Sequence, residues 1–237
     1  MATASKVEYT ACHPKFIESS ALALANRILL REEPVGQVLN RINATAVRQI
    51  DHTRSVSLVV QQMIQTLHPR DTQLCSYVKY ELVDRGVSTY INYWKVTFFS
   101  HTRVWLDFLI SGIQDVLYDT PHCDVRDDDS SECYLGLDAV DPSAVAAYLG
   151  DLYTLGYLST EMLAACVAFI VDNFKSLCHL SCVETILERA HSSPVPRLEP
   201  VFILECLGTI RRRAHQLFGK EISFVSSRIN IIFYTSF

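Results

Sequence analysis

The chain of 237 residues lacks most of what would mark a membrane, secreted or catalytic protein. No run reaches the roughly 18 uninterrupted apolar residues that span a bilayer, so no membrane helix is expected. Met1 to Thr10 holds one Lys and one Glu and no apolar signal core. Export is therefore not expected, and a reducing compartment, the cytoplasm, is. Absent too are a Gly-x-Ser-x-Gly elbow, a phosphate loop, a Gly-rich dinucleotide turn and a His-Glu-x-x-His helix. Nothing sets a nucleophile beside an oriented base, and no enzyme is expected. Basic charge is short: 21 Lys and Arg against 26 Asp and Glu leave a net charge of −5. That balance disfavours broad attraction to nucleic acid, although a local basic patch can still bind it. Strand signals are nearly missing. The one competitor, Ile229-Asn230-Ile231-Ile232-Phe233-Tyr234, is strand-like by propensity and is read here as helix.

What is present is a soluble globular composition, 49% hydrophobic and 20% charged. A chain of this length buries roughly 70 to 75% of its unfolded surface and needs no staples. Of the eight cysteines, Cys75, Cys166, Cys178, Cys182 and Cys206 fall inside apolar helical patterns, which assigns most of them to the core rather than to a disulfide framework.

The most informative stretch is Tyr148-Leu149-Gly150-Asp151-Leu152-Tyr153-Thr154-Leu155-Gly156-Tyr157-Leu158-Ser159. Val145, Tyr148, Leu149, Leu152 and Leu155 share a helical face, Gly156 supplies a left-handed stop, and Ser159 can accept hydrogen bonds from the free amides of a following helix. This is an antiparallel helix hairpin, which cannot cover its own apolar stripe and must stack on neighbours.

Similar patterns run along the whole chain. Phe16, Ile17, Ala21, Leu24, Ala25 and Ile28 predict a first helix ending near Leu30, before the break at Glu32-Glu33-Pro34-Val35-Gly36. Val56, Val59, Val60, Met63, Ile64 and Leu67 give a one-sided stripe. Leu74 to Leu82 continues to Gly86, read as a C-terminal cap, with Ser88 opening a new segment through Tyr90, Ile91, Trp94 and Phe98. A further helix carries Trp105, Phe108 and Val116. Residues 119–138 form an acidic loop with Asp127-Asp128-Asp129 at its centre. Asp141 caps the hairpin, with Pro142 at the first helical position. Met162 to Phe174, a capping box at Ser181-Cys182-Val183-Glu184, and a long helix from Val201 to Leu217 follow. The result is about nine or ten helices in pairs recurring at a little over 40 residues, the period of HEAT or armadillo units. The expected fold is all-α: an α-solenoid of about five antiparallel hairpins in a crescent. The expected organisation is a tail at 1–15 and a single repeat domain at 16–237.

The hairpin resembles the centre of the middle domain of translation initiation factor 4G, where Phe-Ile-Gly-Glu-Leu-Phe leads through a short turn to Leu-Thr; here it is Tyr148 to Tyr153, then Leu158-Ser159. Val38-Leu39-Asn40-Arg41-Ile42 resembles that family's Ile-Leu-Asn-Lys-Leu, and Tyr90-Ile91-Asn92-Tyr93 sits where the family has an aromatic helix. Arg197-Leu198-Glu199-Pro200-Val201-Phe202 resembles its Arg-Met-Asp-x-Tyr-Phe. Ser226-Ser227-Arg228-Ile229-Asn230-Ile231-Ile232 is similar to its Ser-Ser-Arg-Ile-Arg-Phe-Met-Leu. The resemblance spans roughly Val35 to Phe237. It implies stacked helix pairs, no catalysis, and binding to a DEAD-box RNA helicase of the initiation factor 4A type, to RNA, or to other factors of translation or messenger RNA decay. On this alignment the chain stops within the family's last helix. The family's hairpin Glu is Asp151 here, and its gently basic surface is diluted.

Arg211, Arg212 and Arg213, with Lys220 and Arg228 nearby, form the only basic cluster and are the candidate RNA-binding residues, against a plain role at a helix C-terminus. Cys178-His179-x-x-Cys182 has thiolate spacing for zinc but no second pair at a finger-like distance, so neither a metal nor a cofactor is expected. The acidic run lacks the Gly and terminal Glu of a calcium loop. Trp94, Phe98, Phe99 and Trp105 are dense enough for a base-stacking platform, but their helical stripes favour core packing. Function is thus expected to be scaffolding of a helicase or RNA in translation or messenger RNA metabolism. The alternative is a diverged protein-interaction module that has lost both contacts.

Overall fold

The computed structural model describes residues 14–97, 140–191 and 198–218. Among them are eight α-helices and no strand: α1 (Pro14–Leu29), α2 (Val35–Ala46), α3 (Ile50–Leu67), α4 (Thr72–Thr97), α5 (Pro142–Thr154), α6 (Thr160–Asp172), α7 (Leu177–His191) and α8 (Pro200–Phe218). The Trp105 helix, the acidic loop at 119–138, Lys220, Arg228 and the segment from Ser226 lie outside the described residues.

The helices pack in two rows. In one, α1 lies on α3, α3 on α5 and α5 on α7; in the other, α2 lies on α4, α4 on α6 and α6 on α8. Successive helices thus alternate between rows while each leans on the helix two before it. This is the all-α repeat stack expected from the hairpins, in which each unit covers its predecessor's apolar face.

Local chemistry explains the helix boundaries. α1 ends on Arg31 at φ 55°, with Glu32 N donating to Arg27 O at 2.9 Å and Arg31 N to Ile28 O at 3.1 Å. That is a Schellman stop made without glycine. The α5–α6 turn uses the glycine version: Gly156 has φ 74°, Tyr157 N donates to Leu152 O at 3.0 Å, and Gly156 N donates to Tyr153 O at 2.9 Å. Asp141 caps α5 by accepting from Ser143 N at 2.9 Å, and Ser159 caps α6 by accepting from Met162 N at 3.2 Å. Both caps stand where the sequence places them.

Several sequence expectations are corrected. α4 runs unbroken through Gly86, because that glycine serves a close contact rather than a cap. A β-carbon there would sit 3.1 Å from Leu152 Cδ1 and 3.5 Å from the Tyr148 ring, so its absence lets α4 approach α5. α7 begins a turn before the expected capping box. Ser176 N donates to His179 Nδ1 at 3.2 Å, and the Ser176 hydroxyl lies 2.7 Å from the same nitrogen. Ser176 and His179 therefore close this N-terminus, and Ser181 is an interior residue whose carbonyl accepts from Thr185 Oγ1 at 2.8 Å. Phe16, assigned to the apolar face of α1, is 60% exposed.

The core is continuous across both rows. α5 is its centre, with every residue from Ala144 to Tyr153 buried. The single apolar stripe expected there is in fact a helix enclosed on all sides. Tyr90 of α4 donates to Cys166 O of α6 at 2.7 Å, tying adjacent helices of the second row through a buried hydroxyl.

Candidate interaction surface

The basic cluster occupies the C-terminal half of α8. Arg211 and Arg212 are exposed, and Arg212 Nη2 donates to Thr209 Oγ1 of its own helix at 2.9 Å. Arg213 is otherwise engaged: its Nη1 donates to Asp172 O, the last carbonyl of α6. Arg213 thus places a cation on an orphan C-terminal carbonyl, but that of α6 rather than of its own helix, where the plain reading puts it. The described part of the patch is therefore two solvent-facing guanidinium groups.

A second charged group was not foreseen. Asp151, whose side chain is fully enclosed, lies in the middle of α5; Arg54 of α3 donates from Nη1 to its Oδ1 at 2.9 Å, and Arg189 Nη1 of α7 stands 3.6 Å from the same oxygen. Ser57 Oγ is 3.5 Å from Oδ2. Burial pushes the Asp151 carboxyl above its ordinary pKa, against the opposing pull of Arg189 and Arg54. Gly150 completes the geometry, because a β-carbon there would fall 2.5 Å from Arg189 Cβ and 3.0 Å from Ile186 O. α5 and α7 meet at that glycine, which brings Arg189 over the carboxylate. A lone acid in an apolar helix beside a glycine is a legible sign of a buried partner. The partners themselves, 97 residues back in sequence for Arg54, are not legible.

The Cys178, His179 and Cys182 stretch is split by burial. Cys178 is exposed, whereas Cys182 is buried with Sγ 3.5 Å from Pro142 O. A hydrogen bond from Cys182 lowers the Cys178 thiol to about 7. His179 packs against the Trp94 ring at 4.7 Å and the Phe174 ring at 6.0 Å, and burial lowers it to about 4. Among the described residues no three His, Cys, Asp or Glu converge as a metal would need. Trp94 is 2% exposed and belongs to the core, so it offers no face to a base; Phe98, Phe99 and Trp105 lie outside the described residues. Cys75, Cys166 and Cys206 are buried, as their patterns indicate. No helix among the described residues is long and apolar enough to cross a membrane.

Compared with family models, with characterised proteins and with solved structures, the chain matches none.

Proposed function

We propose that this chain is a non-catalytic scaffold of the kind its sequence resembles, the middle domain of translation initiation factor 4G, and that it holds a DEAD-box RNA helicase, RNA or both in translation or messenger RNA metabolism. The carrying observation is the α5–α6 hairpin, with its Gly156 stop and Ser159 cap, at the centre of a two-row helical stack. Such a stack presents loop ends along its length. Holding a helicase's two mobile domains on one rigid surface raises their effective concentration and biases them toward a productive arrangement. The test is retention of a DEAD-box helicase from cell extract by the immobilised full chain, followed by its ATPase rate with and without the chain. Retention with a raised rate supports the reading, and a chain that retains neither such a helicase nor RNA refutes it.

A second reading, a diverged protein-interaction module without helicase or RNA contacts, is favoured by the net charge of −5 and by the internal use of Arg213. A salt series separates the two. Two or three phosphate contacts make log affinity for RNA fall with log salt, whereas the diverged module responds weakly and flatly.

A further inference from the structure

Arg54, Asp151 and Arg189 come from three consecutive helices of one row, and their exposure is graded. The carboxylate is fully enclosed, while the Arg54 and Arg189 side chains are 36% and 25% exposed. The carboxylate is a floor that fixes two guanidinium groups at a rim. Each guanidinium carries five N–H donors, and each directs one nitrogen at Asp151. The nearest acids in sequence, Asp51 before Arg54 and Glu188 before Arg189, are exposed and form no ion pair with either arginine. Two cations over one anion leave the Arg54–Asp151–Arg189 group itself with a charge of about +1, flanked by the exposed Asp51 and Glu188.

We infer that the Arg54–Arg189 rim is a docking point for an aspartate or glutamate side chain of a partner protein. Two forks already oriented by a buried anion lose little freedom on receiving a second carboxylate, and Arg–carboxylate geometry is bidentate. One incoming carboxylate balances the group at two cations and two anions. An RNA strand would instead bring a row of further negative charges past Asp51 and Glu188, on a chain already negative overall, so the charge pattern favours a single acidic side chain. The inference does not depend on the partner being a helicase, because helicase retention is a separate measurement with its own outcome.

The test uses the isotope-labelled full chain and a capped peptide bearing spaced glutamates, with the same peptide carrying glutamine as control. The Nε–H signals of Arg54 and Arg189 should move saturably with the glutamate peptide and stay in place with the glutamine one. Arg189→Gln should weaken binding by about tenfold. That variant keeps Asp151 paired with Arg54 and retains the side-chain stem over Gly150, so an unchanged backbone amide spectrum separates lost binding from lost folding. Arg54→Lys, which keeps the charge and removes the fork, should also weaken binding. Equal shifts with both peptides, undiminished binding by Arg189→Gln, or displacement of the glutamate peptide by oligouridylate at a lower concentration than the peptide itself would each overturn the inference.

Discussion

Replacing Gly150 by alanine puts the packing at the centre of the stack to a direct test. In an exposed helix the change is worth about 1 kcal/mol of stabilisation, because alanine is the better helix former. Here the new methyl group would stand 2.5 Å from Arg189 Cβ and 3.0 Å from Ile186 O. Neither neighbour is the loose end of a side chain, since a β-carbon and a carbonyl move only with the α7 backbone. Restoring ordinary contact at 3.5 to 4 Å requires α7 to retreat by about 1 Å. That shift loosens the helix pair and draws Arg189 off Asp151. Overpacking of this kind costs about 1 to 3 kcal/mol, and the need to move backbone places it at the upper end. Subtracting the propensity gain leaves a net loss of about 2 kcal/mol, or about 4 to 8 °C in Tm for a chain of this size. The control is Gly208→Ala on α8, where the nearest atom to a β-carbon is Arg212 Nη1 at 4.0 Å. That change should stabilise by about 0.5 to 1 kcal/mol. Urea unfolding followed by helical circular dichroism reads both. Equal stability of Gly150→Ala and the parent chain, or a loss in Gly208→Ala matching that in Gly150→Ala, would refute the close-approach account.

The remaining expectations are brief. His179 is held neutral by burial at about 4, against an ordinary 6.5, so its contribution is fully present above 6.5 and is lost as pH falls toward 4. Between pH 7 and pH 5 that is about 2 kcal/mol of unfolding free energy, and His179→Asn should remove this part of the pH dependence when the two chains are compared by denaturant titration. Burial raises the Asp151 pKa despite its two arginines, so its charge is on balance a cost; Asp151→Asn, which keeps the size and an acceptor oxygen for Arg54, should hold stability within about 1 kcal/mol of the parent in the same assay. Ser159→Ala removes the acceptor for Met162 N and should lower stability by about 1 kcal/mol, read as a lower urea midpoint. Arg213→Ala, which loses the contact to Asp172 O, should cost about 0.5 to 1 kcal/mol, whereas Arg211→Ala with Arg212→Ala should leave the midpoint in place and lower RNA retention at low salt.

Much of this fold is legible in the sequence because its determinants are local. Asp141-Pro142, Gly156 and Ser159 each act on amides or carbonyls within a few residues, so residue type and spacing suffice to place the central hairpin. The misreadings arise where the same residue types answer to distant partners. Gly86 looks like a stop only until Tyr148 and Leu152 are known to press on it. Ser181 looks like a cap only until Ser176 and His179 are seen to close the helix one turn earlier. At the candidate site the limit is the same. The run Arg211 to Arg213 is visible as a cluster, but its division into one structural and two exposed arginines depends on Asp172 arriving from another helix. The meeting of Arg54, Asp151 and Arg189 depends on three segments: Asp151 beside Gly150 marks a buried acid, but nothing local names the two arginines that reach it.

Burial also divides the residues that carry the family resemblance from those that could carry recognition. Leu149, Gly150, Asp151, Leu152 and Tyr153 of the hairpin are all buried, as are Val38, Leu39 and Ile42 of the α2 motif. Each has a packing reason to be what it is: Gly150 admits α7, Leu152 lies on Gly86 of α4, and Asp151 ties α3 to α7. A repeat stack sums contacts between neighbouring units, so a motif at its central hairpin is constrained chiefly by the need to couple the helices on either side. Residues in that position cannot touch a partner. On the scaffold reading, recognition falls to the exposed members of the same elements, such as Asn40 and Arg41 on α2 and Arg211 and Arg212 on α8, and to the partly exposed rim of Arg54 and Arg189. Substitutions that spare the buried motif and change these positions therefore separate partner binding from folding, and they are the variants on which the scaffold reading stands or falls.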